Sequence, residues 1–164
     1  MKISTFKDMY LAELQELANV EDQLSKMLPY MAKKAAHPAL KQALAQHGDE
    51  TQAQQQRLAS ILQKHGASPR AHTDQAMMAL VKETDKILTM VKGNDLRDAG
   101  LIASAQKLEH YEIAAYGTAA ALAGQLGMRD DQAILYETLQ EEKQFDALLT
   151  QLAIGEVNPD ALAA

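Results

Sequence analysis

The sequence predicts an all-α protein: a bundle of four long helices, with one shorter helix in a crossover connection. Three observations lead to this. Ala, Leu, Gln, Glu, Lys and Met dominate the 164 residues, and these are good helix formers. Val occurs only four times and Trp not at all, and no run alternates apolar and polar residues between turn signals as a half-buried strand would. Proline, the strongest helix breaker, stands only at positions 29, 38, 69 and 159.

The elements follow from their punctuation. Ser4 or Thr5 can cap a first helix over about 5–34, with Lys7 and Asp8 in its first turn and Pro29 set to kink it or end its regular part. His37-Pro38 is a break and a fresh start, because proline suits the first helical position. The second helix runs over about 38–65 and stops at Gly66. Residues 66–73 (GASPRAHT) read as a loop, and Thr73 can cap a shorter helix over about 74–92. Asn94 or Asp95 caps a helix over about 95–126 that stops at Gly127; Asp130 or Asp131 caps the last, over about 131–154. The tail from Glu156 to Ala164 is expected to be loose. Short links make antiparallel hairpins of the first pair and of the last pair, and roughly 30 residues cross between them. That is the topology of a ferritin-like bundle with one long connection, in a single domain over 1–164.

Composition removes several classes of function. There is no Cys, hence no disulfide framework and no thiolate metal site, which is compatible with a reducing cytoplasm. Met1–Tyr10 has no apolar stretch of the secretory kind, and no run approaches the roughly 20 apolar residues of a membrane span. A net charge of −6 argues against nucleic acid as a partner, since phosphate binding needs a basic face.

Each long helix carries a stripe at 3/4 spacing. The first gives Tyr10, Leu14, Leu17, Glu21, Leu24 and Leu28; the second Leu40, Ala43, His47, Glu50, Gln54, Leu58 and Ile61. The fourth gives Ile102, Ala105, Glu109, Glu112 and Tyr116; the fifth Leu135, Thr138, Glu142, Phe145, Leu149 and Leu152. Every stripe is apolar or small at its ends and acidic in the middle. One such Glu alone reads as a solvated edge residue, and His47 alone as an ordinary core or surface histidine. Tyr10 and Tyr116 alone read as core residues whose hydroxyls find a partner.

Together they form a layer that needs neutralising. Each ionised carboxylate taken out of water costs several kcal/mol, against a folding margin of about 5–15 kcal/mol. No Lys or Arg stands on these stripes at that level. A pair of cations is the simplest neutraliser, and carboxylates with imidazole suit iron or manganese. The spacing supports a shared centre. Glu21 and Glu50 lie 29 residues apart and Glu112 and Glu142 lie 30 apart, so two hairpins carry Glu at matched heights. Glu142 is preferred over Glu141 by phasing, one residue being about 100° of rotation.

The stretches YLAELQELANVEDQLSKMLPYMAKKA, AHPALKQALAQHGDETQAQQQRL, RDAGLIASAQKLEHYEIAAYGT and LGMRDDQAILYETLQEEKQFDALLTQLA resemble the YciF/YciE group of bacterial ferritin-like stress proteins. The resemblance spans about residues 4–154, and EHYEIAAYGT is its most specific part. It implies a five-helix, ferritin-like fold, homodimers and a cytoplasmic role in stress responses. A more distant likeness is to rubrerythrin-type di-iron proteins. On that pattern Glu21 matches the first-helix Glu, Glu109 and Glu112 match Glu-x-x-Glu, and Glu50 and Glu142 match the Glu of two Glu-x-x-His motifs. The His partners depart from it: Ala53 and Phe145 stand three residues on, and His47 lies three before Glu50. Asp146 is a candidate outer ligand.

Two functions compete. In one, Glu21, His47, Glu50, Glu109, Glu112 and Glu142 hold two ions, iron first and manganese second, which handle peroxide or dioxygen. In the other, a metal-free scaffold serves self-association or partner binding, its carboxylates protonated or hydrogen-bonded to one another and to Tyr10, Gln54 and Tyr116. A DNA-protecting role is opposed by the charge and the lack of a basic tail.

Overall fold

The structure, a computed structural model, describes residues 2–164; Met1 lies outside the described residues. Among the described residues there is no strand. Helix α1 spans Phe6–Lys34, α2 Pro38–Lys64, α3 Gln75–Met90, α4 Asn94–Gln125 and α5 Arg129–Leu152. A π-helical turn over Ala153–Val157 then leads into a short α6, Asn158–Ala163. The architecture is the expected all-α, ferritin-like bundle. Hairpins α1–α2 and α4–α5 pack together, and α3 crosses between them against α4 and α1.

The helix ends follow local chemistry, with shifts of a residue or two from the sequence reading. Thr5 rather than Ser4 caps α1 in a reciprocal box: Asp8 N donates to Thr5 Oγ1 at 3.1 Å, and Thr5 N donates to Asp8 Oδ2 at 2.9 Å. Pro29 lies within α1 without ending it. For α3 the cap is Asp74, not Thr73; its Oδ1 accepts from Met77 N at 2.7 Å and its Oδ2 from the Tyr111 hydroxyl at 2.5 Å. Gly93 precedes α4 at φ 86°, a conformation that favours glycine, so neither Asn94 nor Asp95 is the cap. Helix α5 starts before Asp130 and Asp131, which occupy its first turn, where negative charge meets the positive helix end.

The tail departs from expectation. Residues 156–164 are helical apart from the terminal Ala164, not loose. Ala153 and Val157, one turn apart, are buried in the core, and Pro159 sits in the first turn of α6, where its missing N–H costs nothing.

The links between helices are tied down by buried acids. Asp98 of α4, 2% exposed, accepts the backbone N–H of Ala36 at 2.9 Å and of His37 at 2.7 Å, and so holds the α1–α2 link. Replacing it with Ala is expected to cost on the order of 1–3 kcal/mol, read as a lower denaturation midpoint at unchanged m-value. At the other end Asp131 accepts from Tyr10 Oη at 3.2 Å and Lys64 Nζ at 2.8 Å, and meets His65 Nε2 at 2.7 Å. Tyr10 therefore serves this end of the bundle, not the acidic layer.

The core is in two parts. One contains Leu24, Leu28, Met31, Leu40, Leu44, Leu101, Ile102, Leu108, Phe145 and Leu149; the other contains Leu14, Leu17, Leu58, Ile61, Leu62, Tyr116, Ala119 and Leu135. On three long helices the break between them spans the positions of the acidic layer, between Leu44 and Leu58 on α2, Leu108 and Tyr116 on α4, and Leu139 and Phe145 on α5; on α1 it falls between Leu17 and Val20, directly before Glu21.

Candidate metal centre

In that gap lie Glu21, His47, Glu109, Glu112 and Glu142, none more than 1% exposed. His47, Glu109, Glu112 and Glu142 each offer one donor atom, and all four donors lie within 4.8 Å of one another. Three helices thus supply one cluster. Glu109 and Glu112 share a face of α4 because three residues turn the helix by about 300°. Glu21 from α1 stands beside the cluster, with Oε1 accepting from the Tyr116 hydroxyl and Oε2 buried without a partner.

His47 is held on three sides. Its ring stacks on Phe145 with centroids 3.9 Å apart and planes 17° apart. Its Nδ1 lies 3.1 Å from Glu50 Oε2. Its Nε2 faces inward, 3.3 Å from Glu109 Oε2 and 3.1 Å from Glu142 Oε2. These are ion-pair distances, but neither oxygen receives a well-directed hydrogen bond, and a single N–H cannot serve both.

Of the six residues predicted to hold metal, Glu50 is the one that is not buried. Its side chain is 39% exposed, and it lies outside the converging four. Glu50 is three residues from His47, as Glu112 is from Glu109, but the buried line of α2 is centred on His47, Thr51 and Gln54, which leaves Glu50 about 60° to one side, at its edge. Glu50 instead lines a cavity of about 200 Å³ between α2 and α5, bounded also by Ala43, Gln46, Glu141, Phe145 and Leu148. Glu141 and Glu142 are separated cleanly: Glu142 is fully buried, while Glu141 faces outward to pair with Arg57 at 2.6 Å. Asp146 does not join the cluster; it meets Gln106 at 3.2 Å and His110 at 3.3 Å on the outer face.

The electrostatics follow from burial. Glu21, Glu109 and Glu112 are all pushed above the usual carboxylate range, first by loss of water. For Glu21 and Glu112 the charge of Glu142 is the next cause. Glu109 reaches about 8, since His47 only partly offsets its burial. Burial alone would lower His47, but its carboxylate neighbours, Glu109 foremost, outweigh that and raise it. Glu50 is lowered by its bond to His47.

One oxygen each of Glu21, Glu112 and Glu142, and both of Glu109, are buried without a hydrogen-bond partner. Orphaned carboxylate oxygens beside an inward imidazole nitrogen are the donor set a hard or borderline cation takes. Sequence reasoning had not singled out Arg57, whose guanidinium spans Glu137 and Glu141. No local signal was available for it, since its partners lie 80 and 84 residues away.

Comparison with known proteins agrees with this architecture. Residues 5–162 match the family described as "Domain of unknown function (DUF892)". Protein YciF of Escherichia coli (strain K12) is 39% identical over 162 residues, covering 98% of each chain. The crystal structure of the E. coli stress protein YciF matches with TM-score 0.90 at 39% identity, over 95% of this chain and 99% of that one. YcfI from Rhodopseudomonas palustris matches with TM-score 0.88 at 37% identity, over 91% and 95%. A Xanthomonas campestris protein shares the fold at TM-score 0.77 and 20% identity, over 98% and 100%. The chain belongs to the YciF family, the family described as a domain of unknown function (DUF892).

Proposed function

We propose that the protein is a metal-binding stress-response protein whose bundle core holds two divalent cations, iron first and manganese second. The observation behind this is the convergence of His47, Glu109, Glu112 and Glu142 on one point, with carboxylate oxygens left unpaired. Charge supports the number of ions. Glu21, Glu109, Glu112 and Glu142 bring four negative charges, which two divalent cations balance; one cation would leave two to be neutralised by protons. His47 offers Nε2 inward while Glu50 takes its Nδ1, the carboxylate–histidine arrangement that fixes a ligating imidazole.

When bound, such a pair supplies electrons and an open coordination position for peroxide or dioxygen. The chain's own part is to exclude water, to hold the donors, and to orient His47 between Phe145 and Glu50. The stress role draws on the similarity to the E. coli stress protein YciF. A homodimer and a cytoplasmic location complete the proposal; no helix of the described residues is long and apolar enough to cross a membrane.

The test is peroxide and oxygen consumption by anaerobically Fe²⁺-loaded protein, beside Glu142→Ala and Glu50→Gln variants. The parent should consume oxidant in proportion to its bound iron, and Glu142→Ala should not. Glu50→Gln should still fold and bind, with metal affinity lowered about 10–100-fold, as for other residues that orient a ligating histidine. A loaded parent no more active than free Fe²⁺ would refute the redox part.

A second reading has its own support. Tyr116 already serves Glu21, and Gln54 already serves Glu142, as in a proton-sharing core that needs no metal. On that reading the scaffold acts through self-association or partner binding.

A further inference from the structure

A line of side chains runs from the surface of α2 and α5 to Glu142. Arg57 grips Glu141 with two prongs, Nη1 to Oε2 at 2.6 Å and Nη2 to Oε1 at 2.9 Å. The same guanidinium donates to Glu137 Oε1 at 2.8 Å and Thr138 Oγ1 at 3.2 Å, so it is fixed against α5 at four points. Three residues before it on α2 is Gln54, 1% exposed.

The Nε2 of Gln54 donates to Glu141 Oε2 at 3.1 Å and to Glu142 Oε1. A primary amide nitrogen carries two hydrogens, so each carboxylate receives one. The reverse orientation would turn the amide oxygen toward the Glu141 carboxylate that Arg57 already pairs. Gln54 Oε1 remains buried and without a partner. An unpaired buried acceptor lowers stability, so a residue needed only for packing here would be better as Leu or Met.

With Oε1 of Glu142 occupied, its Oε2 is the oxygen left without a hydrogen bond, 3.1 Å from His47 Nε2 and facing the cluster. We propose that Gln54 is a positioning residue that ties up one oxygen of Glu142 and so offers the other alone to a metal ion, with Arg57 and Glu141 holding Gln54 in place. This rests on the metal-binding reading of the cluster. It makes Glu142 a one-oxygen ligand and gives Arg57 and Glu141, both outside the cluster, a part in the geometry of the site.

The experiment is anaerobic titration of the full chain with Co²⁺, whose visible absorption reports coordination geometry as well as affinity. Gln54→Leu removes both donated bonds; Arg57→Gln acts from outside the core and serves if Gln54→Leu fails to fold. Gln54→Leu should weaken binding about 10–100-fold and change the Co²⁺ spectrum at unchanged stoichiometry, since Glu142 is free to present both oxygens. Arg57→Gln should move the spectrum the same way by less. Parent-like affinity and spectrum in Gln54→Leu, or in Arg57→Gln where only that variant folds, would overturn the inference and leave the metal site standing. A parent that takes up no Co²⁺ would overturn the metal reading itself, and this inference with it.

Discussion

Adding Fe²⁺ or Mn²⁺ anaerobically to metal-free protein should raise Tm by about 6–16 °C for each site filled. Ligand at ~100–1,000 times its Kd adds about 3–4 kcal/mol, and a domain of this size gains roughly 2–4 °C per kcal/mol. The gain should grow with pH. Glu21, Glu109 and Glu112 have folded-state pKa values above their unfolded ones, chiefly through burial. His47 is raised too, its carboxylate neighbours overcoming its burial. A raised folded value means that the folded chain binds more protons, so these groups stabilise it fully below their unfolded values and less as pH rises. For the carboxylates the loss begins near the ordinary value of 4.5 and, for Glu109, runs through about 8. Metal removes that penalty by replacing the protons. Scanning calorimetry at several pH values, with and without Mn²⁺, should therefore show Tm falling with pH in the metal-free protein and the metal-induced increment rising. A metal increment that is absent, or that shrinks with pH, would contradict this.

The second large effect trades binding for stability. In Glu109→Leu/Glu112→Leu, two buried carboxylates give way to apolar side chains of similar size. Replacing buried charges by apolar groups stabilises by about 1–4 kcal/mol in known cases, and here both acids have unpaired oxygens. The metal-free double variant should unfold at higher denaturant than the metal-free parent, and it should bind no metal. If the pair belongs instead to a proton-sharing structural core, the same substitution should destabilise the protein at mildly acid pH, where the carboxyls are protonated. Urea midpoints at pH 5.5 and 7.5 separate the two.

Much of this was legible in the sequence because helix period and turn residues are local. The stripes phased on Tyr10, Leu14, Leu17 and Glu21, on Glu109 and Glu112, and on Glu142 all proved buried. They needed only about 100° per residue and the placement of Gly and Pro. The layer's height was legible for the same reason: a charged residue flanked by apolar ones at 3/4 spacing must share their face. Glu50 shows the limit of that reasoning. It fell on a plausible stripe, but its side chain lies at the edge, and whether an edge position meets the core depends on how α2 and α5 approach, which is tertiary. Asp146 and Tyr10 were placed near the layer by sequence proximity and chemistry, and the structure gives both other partners, Gln106 with His110 and Asp131. Arg57 with Glu141 was invisible because the pair joins residues 84 apart, and no local pattern encodes such a contact. The tail was expected to be loose because chain ends usually are; instead Ala153 and Val157 are buried in the core, and Pro159 stands in the first turn of α6, where proline suits a helix start.

The central claim is that this buried layer exists to hold metal. Elemental analysis of protein purified after growth with iron and manganese supplied, beside Glu109→Leu/Glu112→Leu, tests it most directly. The account predicts close to two metal ions per chain in the parent and none in the variant. A well-folded parent without bound metal, or a variant that retains it, would contradict it.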